Sequence, residues 1–361
     1  MTPPIARTPR YDLDRLALGR NALSPLPVAR GHLGRIVSRP DGIAVSGWML
    51  LVDRPLDGFE CHLDGRLVVR EPIVRRDDIA EHLPSIAHAS QSGIAAVLPV
   101  GPGEREQLSR LDLVGTNAGE RVARMTTILG PDLDQLPSPS EELMYRVAHA
   151  RDRQEFQVGG LKTFTDFVDA LEPHLDLREC RRMLDWGCGV ARMTRHFAAI
   201  ENGPVVEGCD IDPEAIEWAA ANVPDVSFAA IEPEPPTSYA DASFDLVVGY
   251  SVFTHLERNA QRRWLAEIAR LLSPGGVFAA TVSGELSGYV RREVPVPLPP
   301  EGISDSTLDR TLDGVAPAGY YRATHQNRAY TERVFGEQLD VVAYLEGRMA
   351  IVHDLVIMRK G

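Results

Sequence analysis

The hydrophobic pattern of the chain changes period near residue 130. From about 30 to 131, short apolar or alternating runs ("GIAVSGWMLL", "FECHLDGRLVV", "GIAAVLPV", "LDLVG") are separated by Gly, Pro and Asp. In "FECHLDGRLVV", Phe59, Cys61 and Leu63 alternate with polar neighbours, and Asp64-Gly65 sits where a two-residue hairpin turn needs positive φ. Several strands at this spacing predict a small all-β sandwich over residues 29–131, behind an N-terminal extension, 1–28. The polar stretch "RRDDIAEHLPSIAHAS" between them reads as a loop with a helical turn.

The Pro/Ser-rich segment "GPDLDQLPSPSEEL" marks a boundary near 130–140. Beyond it, Phe164, Phe167, Val168 and Leu171 fall at i, i+3, i+4 and i+7, an amphipathic helix. Residues 132–175 are therefore expected to be a linker and the first helices of a catalytic domain that continues over 176–361. From 181 onward, strands and helices alternate: "RRMLDW", "VVEGCD", "VSFAA", "FDLVVGY" and "GVFAATV" are the strands. This order predicts an α/β, Rossmann-like, mostly parallel sheet built from right-handed crossovers. The last two runs, "LDVVAYLEG" and "MAIVHDLVIMRK", predict an antiparallel hairpin that closes it.

The candidate site lies where the first strand of that sheet ends, in "MLDWGCGVARMTRHF". Ligands of open α/β sheets bind beyond the carboxyl ends of the strands. A glycine turn there lets backbone approach a ligand, and the following helix offers N–H groups. A dinucleotide turn wants G-x-G-x-x-G, but the third such position is Arg192. Asp185 followed by Gly187, Gly189 and the small Ala191 suits a cofactor without phosphates. Alanine is the smallest side chain available at 191, and a helix start gives no reason to demand positive φ there.

This motif resembles the first motif of the class I S-adenosylmethionine-dependent methyltransferases, with Ala191 in place of the last glycine. "VVEGCDIDPEAIEWAAAN", "ADASFDLVVGYSVFTHL" and "WLAEIARLLSPGGVFAATV" resemble, in order, further segments of that family, so the resemblance spans roughly 140–361. It implies S-adenosyl-L-methionine as cofactor and Asp210 as the ribose-binding residue, with Ile211 beside it. Asp212-Pro213 reads instead as a helix cap and first-turn proline. Gly187, Cys188, Gly189 and Ala191 would line the amino-acid portion after Asp185, and Trp186 and Cys188 would shape the pocket. Ile231 would face the adenine, with Glu232 reaching its amine or standing as a solvated loop charge.

For the chemistry, a neutral hydroxyl needs a general base, and histidine has a suitable pKa. His255, in "SVFTHLE" after the fourth strand, is the catalytic candidate; packing against the sheet edge is its other reading. Tyr250 at the strand tip would line the cofactor or acceptor pocket, and Glu285 and His325 are further acceptor-side candidates. His353 alternates within a strand and is expected to face solvent. Residues 286–319 form a long proline-rich connection, expected to be a lid or acceptor-binding insert. No metal site is expected.

The N-terminal half resembles β-sandwich modules attached to bacterial glycan-modifying enzymes. That resemblance implies a saccharide or partner-enzyme surface, the other readings being a packing or homodimerisation module. Trp48 is a sugar-stacking or a core residue. Thirty-eight Lys and Arg against fifty-one Asp and Glu leave a net charge of −13, which disfavours a nucleic-acid partner or an anionic membrane. The four cysteines show no metal-ligand spacing, and no apolar run is long enough to span a membrane, so a cytoplasmic protein is expected. The function expected is methyl transfer to a hydroxyl, in preference to an amine, of a small molecule or saccharide. The alternatives are a catalytically idle S-adenosylmethionine-binding module and an NAD(P)-dependent oxidoreductase.

Overall fold

The computed structural model of the chain describes residues 6–361, apart from 102, 104–106, 131, 132, 151, 295, 296 and 350–352. Parts of the extension, of the 130–140 boundary, of the 286–319 connection and of the closing hairpin's turn thus lie outside the described residues. The chain divides into two compact units: 1–144, 148–172 and 199–201, and 145–147, 173–198 and 202–361.

The first unit begins with one helical turn, α1 (Leu13–Leu16), capped by the Asp12 carboxylate. Its strands are β1 (Arg30–Arg39), β2 (Gly42–Leu50), β3 (Gly58–Leu63), β4 (Arg66–Pro72), β5 (Val74–Arg75), β6 (Gln91–Leu98), β7 (Ser109–Asn117) and β8 (Glu120–Leu129). They form two four-stranded antiparallel sheets, ordered β1-β2-β6-β5 and β4-β3-β7-β8. Asp64 and Gly65 both take positive φ in the β3–β4 hairpin, as its two-residue loop requires. The helical turn expected after β5 is α2 (Asp77–His82). Trp48 is buried, so packing is its role.

The segment 132–175, expected to open the catalytic domain, is divided between the units. Helix α3 (Glu141–Ala148) contributes 145–147 to the second unit. The long α4 (Arg153–Leu171) packs on β1 and β8 within the first. Phe164, Phe167, Val168 and Leu171 are buried as their spacing predicts. Both Asp169 oxygens accept from the Arg124 guanidinium at 3.0 and 3.1 Å, a fork that fixes the helix to β8.

The second unit contains β9 (Arg182–Trp186), α5 (Thr194–Phe197), β10 (Val205–Asp210), α6 (Pro213–Asn222) and β11 (Ser227–Ala230). These are followed by β12 (Phe244–Gly249), α7 (Arg258–Leu271), β13 (Leu272–Ser283), α8 (Glu285–Arg291), β14 (Ile303–Leu308) and β15 (Arg322–Gln326). It ends with α9 (Arg328–Phe335), β16 (Asp340–Met349) and β17 (His353–Arg359). Strands β11-β10-β9-β12-β13 lie parallel in that order; β17 pairs antiparallel with β13, and β16 with β17. Strand order therefore reverses at β9, and the glycine loop leaves the sheet at that switch point.

Between β13 and α9 the chain adds the antiparallel β14–β15 hairpin, joined to the sheet by one parallel pair, Ser283 with His325. Burial on both faces explains the apolar run of β12, whose Leu246, Val247 and Val248 are inaccessible. Trp186 belongs to this core, its ring 5.0 Å from Trp264 and 5.3 Å from Phe253, rather than to the pocket-lining loop expected of it. A strand's last residue still obeys the pleat, and this one points inward.

Candidate functional site

The glycine loop is held by backbone. Gly187 has φ +79°, and it and Cys188 donate N–H bonds to the Cys209 carbonyl at 2.8 and 3.1 Å. A Cβ at 187 would lie 2.4 Å from Val252 Cγ2, so conformation and space both demand glycine. Gly189, at φ +52°, donates its N–H to Asp210 Oδ2 at 2.8 Å. Ala191 corrects an expectation: its φ is +57°, in the left-handed region. The turn that bonds Ala191 N–H to the Cys188 carbonyl at 2.9 Å sets that conformation before the helix begins. The cost to a non-glycine residue is about 1–2 kcal/mol. The methyl is fully buried beside Ala219 and Val223.

Two carboxylates flank the loop. Asp185 is buried and accepts a bond from the Thr194 hydroxyl at 2.6 Å, bracing the following helix. Burial, with the nearby Asp210 charge, pushes its carboxyl up to about 7. Asp210, at the tip of β10, accepts from Gly189 N–H through one oxygen and from Asp212 N–H at 2.9 Å through the other. Burial raises its pKa too. Asp212 is the cap its sequence indicated, accepting from Glu214 and Ala215 N–H and pairing with Arg146 at 2.9 Å. Ile211 is half-buried between the two aspartates. Ile231 donates its N–H to the Asp210 carbonyl and packs against the core, while Glu232 is exposed. The Cys188 and Cys209 thiols are driven up by burial and by Asp185 and Asp210.

These residues fit S-adenosylmethionine: a strand-tip carboxylate for a ribose diol, a glycine loop beside it, and negative potential suited to a sulfonium and an ammonium.

Beyond β12 the site is made of side chains. Tyr250 is half-buried, its ring 6.1 Å from that of His353. Ser251 follows with φ +59°, its N–H donated to Thr281 Oγ1 at 2.7 Å. This strained serine at the strand tip has no glycine signature and escapes sequence reading. His255 ends a 3₁₀ turn, Phe253–His255, and its ring stacks on Tyr321 at 4.0 Å and 11°. Its Nδ1 lies 3.0 Å from the Arg322 carbonyl and 3.6 Å from Asp309 Oδ2.

Burial raises the Tyr321 phenol, and the charges of Asp309 and Asp210 push the same way. His325 is buried with Nε2 3.1 Å from Glu293 Oε2. Glu285 accepts the Leu298 N–H at 3.2 Å, so in this structure it ties down the insert. His353, expected at the surface, instead sits against Tyr250, and burial drives its pKa down to about 3. The chain thus brings His255, His325 and Tyr250 to one region and adds His353, Tyr321, Asp309, Arg291 and Glu293. None of these five belongs to a contiguous motif.

Residues 184–280 match the family model described as a methyltransferase domain. Residues 184–280 of the second unit therefore carry a methyltransferase domain. Among curated proteins, the chain is 29% identical to trans-aconitate 2-methyltransferase of Mycobacterium tuberculosis over 119 residues, 32% of this chain and 41% of the relative. It is 33% identical over 101 residues to an uncharacterized methyltransferase of Synechocystis, 27% of this chain and 45% of the relative. The chain thus spans less than half the length of these relatives. A S-adenosylmethionine-dependent methyltransferase structure from Methanosarcina mazei aligns with TM-score 0.40 and 22% identity, covering 53% of this chain and 96% of that one.

Proposed function

We propose that this protein transfers a methyl group from S-adenosylmethionine to a hydroxyl, in preference to an amine, of a small molecule or saccharide. The observation that carries the oxygen assignment is the state of His255. A carbonyl can only accept, so the contact with Arg322 puts the ring proton on Nδ1 and the lone pair on Nε2. That is the form a general base requires, and Asp309 beside Nδ1 stabilises the imidazolium that forms on proton uptake. An already activated donor leaves the protein to supply position and a proton acceptor. The Asp210 carboxylate would hold the ribose, and Ile231 the adenine face.

Among the described residues no helix is long and apolar enough to cross a membrane, and all four cysteines are free and buried. The thiols support a reducing, cytoplasmic setting. For the first unit we retain a surface for saccharide, a partner enzyme or a second copy of the chain. The direct test is methyl transfer from labelled S-adenosylmethionine to a panel of sugars, phenols and amines. Turnover confined to amines, or cofactor binding without any turnover, would overturn the proposal.

A further inference from the structure

Three buried nitrogens on the acceptor side have no hydrogen-bond partner among the described residues: His325 Nδ1, His353 Nδ1 and Arg291 Nε. An unpartnered buried polar atom is costly, and three gathered together call for an explanation. Topology gathers them. Ser283, the last residue of β13, pairs with His325 on one side and His353 on the other. Residues paired across strands project to the same face, so both imidazoles stand beside Ser283. Helix α8 packs on β13, β15 and β16 and delivers Arg291 from its last turn. Arg291, His325 and Glu293 all act electrostatically on His353.

The hydrogen-bonding sense of two of these atoms follows from their chemistry. Glu293 accepts from His325 Nε2, so with the ring uncharged Nδ1 carries the lone pair. Arg291 Nε can only donate. An acceptor and a donor together complement a hydroxyl, which both donates and accepts. A carboxylate would leave His325 Nδ1 unpaired, and an ammonium would face the guanidinium. We infer that Arg291, His325 and His353 form a hydroxyl-binding subsite for a polyhydroxylated acceptor, a polyol or saccharide, one hydroxyl held here while another meets His255. The inference rests on the proposed methyl transfer and names its substrate class.

The test uses the full chain labelled with ¹⁵N-histidine and observed by NMR, with glycerol, myo-inositol and methyl α-D-glucopyranoside as probes and 1,4-dioxane as the hydroxyl-free control. At least one polyol should shift the His325 and His353 ring nitrogens saturably, and dioxane should not. His353→Phe assigns its signal, and Arg291→Gln, at a partly exposed site, should weaken the polyol about tenfold. The inference is overturned if no polyol moves either ring at several tenths molar, if dioxane moves them equally, or if Arg291→Gln leaves the affinity unchanged. The readout needs no turnover. Failure here leaves methyl transfer standing, whereas absent cofactor binding by calorimetry would remove the function and leave the ring shifts measurable.

Discussion

The two ends of the site are built differently. On the side of the glycine loop, the turn from Asp185 to Ala191 and the tip of β10 are joined through backbone N–H groups: Gly187 and Cys188 to the Cys209 carbonyl, Ile231 to the Asp210 carbonyl, and Gly189 to the Asp210 carboxylate. On the opposite side, side chains from four separate segments meet: Tyr250 with His255, Arg291 with Glu293, Tyr321 with His325, and His353. A backbone-made site tolerates few sequences and repeats as a motif. A side-chain site can be respecified by any of its segments, so no short pattern announces it.

The comparison can be broken at several points. The largest effect is expected at Asp185. Its folded pKa of about 7 lies above the ordinary 3.8, so the folded chain keeps a proton that the unfolded chain releases. Stability is therefore undiminished below about pH 4 and falls as pH rises toward 7, by up to about 4 kcal/mol. Asp185→Asn removes this dependence, so the stability gap between variant and parent should widen in the variant's favour over that range. A gap flat with pH, in denaturant titrations, would assign the residue an ordinary carboxyl.

On the acceptor side, His255→Ala should lower kcat about 100-fold with cofactor affinity kept. An unaltered kcat would leave the histidine only its stacking role against Tyr321. Asp210→Ala should weaken cofactor binding by about 1.5–3 kcal/mol in calorimetry through loss of bonds to a charged acceptor. Unchanged affinity would remove it from the ribose site. The smallest effect belongs to Ala191→Gly. Relief of a left-handed alanine, about 1–2 kcal/mol, is offset by the lost methyl packing, roughly 1 kcal/mol, so Tm should move by only a few degrees. A large fall in Tm would mean that packing against Ala219 and Val223 dominates the strain.

The contrast also explains what could be read in the chain. The parallel sheet and its antiparallel closure follow from apolar runs with distinct periods, and Gly187, Gly189 and Asp210 from their placement at strand tips. Ala191 misled because its conformation is imposed by the turn bonded to Cys188, a tertiary constraint invisible in residue type. The same holds for Ser251. His353 misled because alternation along β17 shows that faces differ without showing that both are buried. Arg291 and Glu293 sit in a polar, proline-rich stretch whose composition reads as solvated loop, and the packing of α8 on β13 and β15 brings them to the imidazoles. Helix α4 was legible as a helix, but its packing on β1 and β8 depends on the Arg124–Asp169 fork between residues 45 positions apart.

The paired carboxylates also set a direction for the catalytic cycle. If Asp185 and Asp210 hold S-adenosylmethionine as proposed, methyl transfer would turn its sulfonium into a neutral thioether and remove a positive charge from their neighbourhood. With that charge gone, Asp185 regains a reason to bind its proton near neutral pH. Donor loading should therefore expel protons and product formation should recapture them, giving binding enthalpies that depend on the ionisation heat of the buffer. The loop would then act as a charge gauge, holding the spent cofactor less firmly than the loaded one, so that turnover itself would loosen the product.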